Sequence, residues 1–300
     1  NTNLNQFVCY NNQLTALNIS KNTFLKTLDC NNNKIENLDV SKNIALDTLS
    51  SYSNRLTALN VKINKALKKL DCGSNQISTL DVSANTDLIF LGCNTSLLTT
   101  LDVSKNTALK LLDCRENKLT NLDVSTIGTL TELYCQSNQL TNLDISKNKA
   151  LEFLNCSKNL LTTLDVSVNT ALVGLYSNSN QLTNLNLKNG NNTNLAYLNF
   201  KINPNLSCIQ VDDINYSNEN WSTKKDATAN FNTDCQDSNQ YTYIPDSNFE
   251  QKLIDLGIDT DGLNGKITIA DISAVTTLDL SNSNIKDLTG IESFTALNIL

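Results

Sequence analysis

Hydrophobic positions return with a period of 21 residues from Leu4 to about Leu206. The stretch LKLLDCRENKLTNLDVSTIGTL, from Leu109 to Leu130, shows one unit with two half-turns of similar design. The first half-turn is spaced as L-x-x-L-x-C-x-x-N-x-L, and the second returns to L-x-x-L-x-V. Apolar residues at alternate positions are typical of a short strand that buries one side and exposes the residue between. We therefore predict a repeat solenoid with parallel β-strands in both half-turns and few helices.

An Asn follows each L-x-C triplet by three residues, as Asn117 follows Cys114. Its side-chain amide can bond backbone groups that a tight bend leaves without partners. A single unit of this kind is too small to enclose a core. Stacking of successive coils, roughly 4.8 Å apart, must therefore bury the leucines.

These residues resemble bacterial leucine-rich repeats, specifically the nested 21-residue type called IRREKO. The wording LxxLxCxxNxLTxLDVSxNxxL resembles large secreted surface proteins of marine and gliding Bacteroidota, and the resemblance covers about two thirds of the chain. It implies export by the type IX route and display on the outer membrane, in adhesion, gliding or nutrient capture. The predicted location is therefore secreted or exposed at the cell surface.

The formal net charge of −7 and the pI near 4.7 argue against nucleic acid or an anionic membrane as partner. No apolar run reaches membrane-spanning length, so we expect no membrane insertion of this segment. The chain opens inside one repeat at Asn1 and stops inside another at Leu300. We therefore expect it to be an excerpt of a longer protein.

The cysteines fall into two groups. A metal site in the larger group is disfavoured, because a column of parallel thiols offers no tetrahedral cage and the chain contains no His. Disulfides along the column are disfavoured by the coil spacing, so we predict small core residues. Cys208 and Cys235 lie outside the register, and we expect them to form a disulfide, which suits an oxidising compartment. The cysteines in register are Cys9, Cys30, Cys72, Cys93, Cys114, Cys135 and Cys156, with Ser51 and Ser177 in the same slot.

The two half-turns differ in how much their outward residues vary. Second half-turns repeat one acidic position, whereas first half-turns vary from coil to coil. A position that every coil fills alike meets a structural need, while a variable one can answer something external. Calcium bound along the acidic column is one interpretation. We favour structural carboxylates relieved by the hydroxyl donors that follow them. The acidic column comprises Asp39, Asp81, Asp102, Asp123, Asp144 and Asp165.

The variable half-turns supply the candidate ligand-binding residues. An exposed aromatic stripe suits a protein partner, or a glycan whose sugar faces stack on rings. The alternative is that these rings cover the sheet or meet another part of a longer protein. The predicted contact residues are Phe90, Leu111, Arg115, Tyr134, Phe153 and Tyr176.

Three segments are predicted: a leucine-rich repeat array over 1–206, a C-terminal cap with linker over 207–240, and a helical N-cap opening a second array over 241–300. The 21-residue period is lost after residue 206, where Tyr216, Trp221 and Phe231 can cover the open end of the core. Two extra residues near 188–194 predict a loop, and residues 236–241 read as a polar linker.

The last segment resembles the cap and 22-residue repeat of internalin-like proteins. PDSNFEQKLIDLG predicts a helix with a capping box of Ser247 and Glu250 and an end at Gly257. The following DTDGLNGKITIAD resembles a calcium loop of the EF-hand or dockerin sort, with Thr260 and Gly262 where acidic ligands belong. The site is therefore degenerate, with no other cofactor expected. The candidate ligands are Asp259, Asp261, Asn264 and Asp271.

An enzyme is disfavoured because the chain has no His, no G-x-S-x-G and no phosphate-binding Gly loop. A polysaccharide-degrading enzyme would have to rely on Arg115 beside Asp113 and Tyr134. The leading interpretation is a non-enzymatic recognition or adhesion module that binds a protein or glycan through the variable face. The alternatives are a structural stalk or spacer, and cargo of an outer-membrane secretion or uptake complex.

Overall fold

The computed structural model describes residues 1–235 and 241–300, so the predicted linker at 236–240 lies outside the described residues. Ten short parallel strands form one continuous sheet. Successive strands pair with an offset of 21 residues, as in Phe7 opposite Leu28, and the solenoid has about 11 turns. The strands of this sheet are β1 (Gln6–Val8), β2 (Thr27–Asp29), β3 (Thr48–Ser50), β4 (Lys69–Asp71), β5 (Phe90–Gly92), β6 (Leu111–Asp113), β7 (Glu132–Tyr134), β8 (Phe153–Asn155), β10 (Gly174–Tyr176) and β12 (Tyr197–Asn199).

The second half-turns form a shorter sheet on the later coils only. Its parallel strands are β9 (Thr163–Asp165), β11 (Asn184–Asn186), β13 (Cys208–Gln210) and β14 (Asn230–Asn232). Earlier coils follow the same path with sparser bonds between neighbours, such as Arg55 N to Ile35 O at 2.9 Å. The predicted fold class, a parallel-strand solenoid of the leucine-rich type, is confirmed.

The central leucine of each first-half strand is fully buried, as Leu112 and Leu133 are. The next inward slot holds the cysteine column, whose members are free thiols, and Ser51 and Ser177 occupy it without solvent exposure. Burial raises the pKa of the thiols, to about 12 for Cys72. These cysteines therefore act as small apolar core residues, as predicted.

Asparagines at the first bend join successive coils. Asn75 Nδ2 donates to Ser51 O, Cys72 O and Gly73 O at 3.0, 3.0 and 3.1 Å, and its Oδ1 accepts from Leu56 N at 2.9 Å. One amide thus satisfies three carbonyls and one N–H across two coils. The equivalent side chains are Asn33, Asn54, Asn117, Asn138, Asn159, Asn180 and Asn203.

A second asparagine column lies at the other bend. Asn85 Nδ2 donates to Val61 O and Asn64 O at 3.0 and 2.9 Å, but its Oδ1 has no partner. The two-residue insertion near 188 preserves this column, because Asn189 Nδ2 donates to Asn169 O at 3.1 Å. A 3₁₀ turn at Asn192–Asn194 takes up the remaining length.

The open end of the solenoid is covered as predicted. Helix α1 (Ile214–Trp221) is followed by a 3₁₀ turn at Ser222–Lys224. Trp221 and Phe231 are buried with ring centroids 6.2 Å apart, and Phe231 also meets Phe200 edge to face. The predicted disulfide between Cys208 and Cys235 is present. The cap therefore combines an aromatic lid with a covalent link.

The chain divides into two compact units, Asn1–Thr233 and Asp234–Leu300. The second unit has an antiparallel pair, β15 (Tyr241–Tyr243) with β16 (Lys266–Thr268), and helices α2 (Ser247–Asp255) and α3 (Ile269–Ile272). A 3₁₀ turn at Ile291–Ser293 precedes a parallel bridge from Thr277 to Ile299, 22 residues apart. Its core includes Phe249, Leu253, Ile267, Leu278 and Phe294.

The predicted capping box of α2 is wrong. Asp246, not Ser247, is the N-cap, because its carboxylate accepts from Asn248 N and Phe249 N at 2.9 and 3.0 Å. Glu250 turns away from the helix start and binds the loop before β16. Gly257 ends the helix with a φ of 68°, as predicted. No helix in the described residues is long and apolar enough to cross a membrane.

Candidate functional site

The outward residues of the ten-stranded sheet form columns that run across the coils. Strand pairing places Phe90, Leu111, Glu132, Phe153, Gly174 and Tyr197 in one column. The adjacent column holds Gly92, Asp113, Tyr134, Asn155, Tyr176 and Asn199. The predicted contact residues therefore share one face, although Glu132 separates Phe90 and Leu111 from Phe153.

Four rings on this face contact one another, and we call them the aromatic cluster: Tyr134, Phe153, Tyr176 and Tyr197. Phe153 is at the centre, with centroids 6.3 Å from Tyr134, 6.1 Å from Tyr176 and 5.9 Å from Tyr197. The ring planes are tilted by 34 to 41°. The cluster is an uneven aromatic surface over four neighbouring coils, with Tyr197 57% exposed.

Sequence reasoning missed Tyr197. The insertion before it moves it to 44 residues after Phe153, where two plain repeats would give 42. Its position immediately before the buried Leu198 marks it as outward-facing, so the signal was present in the L-x-F triplet that ends at Phe200. The strand register settles its neighbours, because Gly174 pairs with both Phe153 and Tyr197.

Phe90 and Arg115 lie outside the aromatic cluster. Lys69 Nζ sits 5.1 Å from the ring centroid of Phe90, in a cation–π contact. Arg115 Nε lies 3.5 Å from Asp113 Oδ2. Burial raises the pKa of the Asp113 carboxyl, and the positive charge of Arg115 partly opposes that shift. Both residues thus have partners within the array.

Tyr134 bonds within its own strand. Its hydroxyl donates to Glu132 Oε2 at 2.7 Å. Burial, this hydrogen bond to a carboxylate and nearby negative charge raise the pKa of Tyr134 to about 12. The ring is therefore oriented by the carboxylate and stays protonated at neutral pH.

No protein-family model matches the chain, and no curated protein matches it. Among solved structures, the functional domain of InlJ from Listeria monocytogenes, which includes a cysteine ladder, is similar at 37% identity with a TM-score of 0.63. That alignment covers 70% of this chain and 49% of the InlJ chain, so this chain spans about half of its length. The chain has the leucine-rich-repeat fold.

Two more distant structures support the same fold. The internalin InlF of Listeria monocytogenes aligns over 99% of this leucine-rich-repeat chain and 86% of its own, at 22% identity and a TM-score of 0.61. The ectodomain of the plant membrane receptor kinase GASSHO1/SCHENGEN3 from Arabidopsis thaliana, in complex with CASPARIAN STRIP INTEGRITY FACTOR 2, aligns over 77% of this chain and 30% of its own. That pair shares 21% identity with a TM-score of 0.65.

The acidic column of the leucine-rich-repeat array has a local structural role. Each carboxylate accepts from the backbone N–H of the Ser two residues later, as Asp144 Oδ1 does from Ser146 N at 2.8 Å. This bond lowers the pKa of the Asp144 carboxyl. The bond stays within one coil, whereas we had reasoned from a demand such as a bond between coils. The same contact recurs at Asp39, Asp81, Asp102, Asp123 and Asp165.

The four predicted cation ligands take different environments beyond the leucine-rich-repeat array. Asp259 is buried and its Oδ1 accepts from Asp261 N at 3.1 Å, while Asp261 is exposed. Asn264 Oδ1 accepts from Lys266 N at 3.1 Å, and Asp271 lies in the first turn of α3. Within residues 1–235 and 241–300, no group of three or more His, Cys, Asp or Glu could hold a metal ion. Calcium binding stays a prediction.

Glu250 holds the loop that resembles a calcium site. Its Oε1 accepts from Asn264 N, Gly265 N and Lys266 N at 2.7, 2.6 and 3.3 Å. A carboxylate that accepts several backbone N–H groups can close a turn by itself. The loop is therefore closed by a buried side chain from α2.

Proposed function

We propose that this chain binds a protein partner through the aromatic cluster on the outward face of its ten-stranded sheet. The observation that carries the proposal is the contact of Phe153 with three tyrosines from three other coils. Clustered Tyr and Phe side chains bury large areas with little loss of conformational entropy, and aromatic residues are enriched at interface hot spots. The acidic column on the other half-turns has no comparable variation.

The ring geometry supports a protein more than a glycan. A sugar stacks best on an open ring face, whereas tilts of 34 to 41° produce an uneven surface with edges and gaps between rings. Such a surface suits interdigitating side chains. The similarity to leucine-rich-repeat ectodomains, one of them solved with a bound factor, supports an interaction module at the level of the fold.

We also propose that the protein acts outside the cytoplasm. The disulfide between Cys208 and Cys235 supports an oxidising compartment. Resemblance of the repeat wording to Bacteroidota surface proteins supports type IX export, surface display and a part in adhesion. We propose no catalytic role, since the aromatic face brings together no nucleophile and base.

Site-specific photo-crosslinking tests the proposal. A photoreactive phenylalanine at position 197 is expected to crosslink a protein from outer-membrane or secreted fractions, and the same probe at Phe24 is the control. Phe24 is also exposed, at 63%, but lies outside the aromatic cluster. Phe153→Ala should weaken binding of the captured partner by about tenfold or more, since a hot-spot ring contributes roughly 2 kcal/mol.

Two results would contradict the proposal. Equal capture from positions 197 and 24, or capture unaffected by Phe153→Ala, would mean that the aromatic cluster is not the contact surface. A chain that captures nothing from either position would favour the stalk or spacer. Retention in a purified outer-membrane secretion complex, independent of the aromatic cluster, would favour the cargo interpretation.

A further inference from the structure

An open cleft of about 370 Å³ lies where the aromatic cluster meets the capped end of the solenoid. Tyr176 and Tyr197 contribute ring surface to it, and Asn199, Lys201, Thr223 and Lys224 contribute polar groups. It therefore combines apolar and cationic surface beside the most exposed ring of the cluster.

Backbone pairing explains why Lys224 reaches this face. In regular coils the residue after the strand donates to the outward residue of the next coil, as Ser51 N does to Asp71 O at 2.7 Å. Phe200 N donates in the same way to Lys224 O at 3.0 Å. The 3₁₀ turn of the cap thus places Lys224 one step beyond Asn199 in the column that holds Tyr134 and Tyr176.

The two lysines of the cleft have no carboxylate partner. In the described residues, neither Lys201 nor Lys224 is within ion-pair distance of an acidic side chain. Both oxygens of the nearby Asp226 are bonded, to Ile202 N at 3.0 Å and Asn203 N at 2.7 Å. Two positive charges therefore stand together on a protein whose net charge is −7.

The neighbouring Lys225 shows what a committed lysine looks like in this cap. Its Nζ donates to Ala229 O and lies 5.6 Å from the ring centroid of Phe231. Lys225 therefore stabilises the end of the solenoid. Lys201 and Lys224 face the cleft instead.

Asn199 adds a third donor. Its Oδ1 accepts from Lys201 N at 3.2 Å, which orients the amide and leaves Nδ2 available in the described structure. A carboxylate placed between two ammonium groups and an amide N–H would have both oxygens satisfied. Partial burial of Lys224 strengthens such contacts relative to open solvent.

We infer that this cleft binds an acidic side chain of the protein partner, with an adjoining aromatic or aliphatic residue of that partner packed on Tyr197. The inference rests on the proposed function and adds a specificity to it. Lys201 and Lys224 supply charge complementarity, and the aromatic cluster supplies apolar contact. The fitting segment carries Asp or Glu next to a large apolar residue.

A phage-displayed library of random peptides tests this on the full chain. Peptides selected by the wild type should be enriched in Asp or Glu beside an aromatic or aliphatic residue. The Lys201→Glu/Lys224→Glu variant should bind synthetic copies at least tenfold more weakly, and Lys201→Gln/Lys224→Gln should lie between the two. Lys147→Glu/Lys149→Glu, with the same charge change at exposed positions elsewhere, should bind like the wild type. Affinity for wild type should also fall as salt rises.

The variants separate the two ideas. If selected peptides lack acidic residues, or bind K201E/K224E as tightly as wild type, the cleft inference is wrong while the aromatic proposal stands. If wild type selects nothing beyond a variant with alanine at all four cluster positions, the aromatic proposal fails with it. Binding of immobilised polygalacturonate but of no peptide, lost in K201E/K224E, would reassign the cleft to acidic sugars and overturn the protein partner.

Discussion

The ring of Phe153 occupies the space that a side chain at Gly174 would need. A Cβ at position 174 would lie 2.4 Å from Cε2 and 2.5 Å from Cζ of Phe153. The absence of a side chain on β10 allows the ring to lie across that strand and reach Tyr197 on β12. The aromatic cluster is therefore assembled before any ligand arrives, which reduces the entropy lost on binding.

Gly174→Ala should disrupt the aromatic cluster. The added methyl must push the Phe153 ring aside, so we expect a loss of about 1 to 2 kcal/mol in the free energy of unfolding. The near-ultraviolet circular dichroism of the tyrosines should change as well. Gly128→Ala is the matched control, because a Cβ there meets only Lys147 O at 4.0 Å. An unchanged spectrum in Gly174→Ala would show that the ring does not depend on the glycine.

The two asparagine columns should differ in their contribution to stability. Asn75→Ala removes four hydrogen bonds, whereas Asn85→Ala removes two and also removes a buried oxygen that has no partner. We expect losses of about 3 kcal/mol and about 1 kcal/mol, respectively, in the free energy of unfolding. Urea unfolding followed by circular dichroism measures both. Equal losses would mean that the side-chain bonds do not set the ranking.

The cysteine column should react slowly in the folded protein. Burial raises the pKa of Cys30 to about 12 and also raises those of Cys72, Cys93, Cys114, Cys135 and Cys156, so little thiolate forms near neutral pH. Cys9 is only partly buried, with a smaller rise. A short iodoacetamide pulse read by mass spectrometry should label Cys9 first and the others after unfolding. Early labelling of Cys114 would contradict this.

The second unit should be more stable in mild acid. Burial, with the negative charges of Asp261 and Glu250, raises the pKa of Asp259 to about 6. The folded state then holds a proton that the unfolded state releases near pH 4, so the free energy of unfolding should fall between about pH 4 and pH 6. The change should be about 1 to 3 kcal/mol.

Asp259→Asn is the control for that pH dependence. It keeps the shape of the side chain and removes its charge, so most of the fall in stability between pH 4 and 6 should vanish. Thermal unfolding of the full chain across this range tests both variants. An identical pH profile for wild type and Asp259→Asn would assign the effect to other groups. Repeating the melts with calcium and with EDTA also tests the predicted cation loop.

Much of the first unit was predictable from its repeated residues. Each coil uses the same leucines at the same spacing, so one unit predicts the next, and the 21-residue offset of Phe7 and Leu28 follows directly. The disulfide was predictable because Cys208 and Cys235 stand outside that register. Tyr216, Trp221 and Phe231 were predictable as a cover because an open core needs one.

The single-copy features were harder to predict. The helix start has acceptors at both Asp246 and Ser247, and only the packed loops show that the carboxylate of Asp246 also accepts from Lys286 N and Asp287 N. Glu250 fits a capping box by spacing, yet three loop N–H groups outcompete the helix end for its carboxylate. Nothing repeats in this unit, so no neighbouring copy indicates which partner prevails.

By itself, the sequence determined the solenoid, the inward columns of leucine, cysteine and asparagine, and the outward direction of the aromatic residues. It did so because strand period and coil period are local properties that each unit repeats. Only the tertiary structure decided that Phe153 crosses Gly174 to meet Tyr197, and that Lys224 joins Lys201 beside them. Those contacts link residues from different coils and from the cap, and their distances follow from stacking register and side-chain packing, neither of which is written in any single repeat.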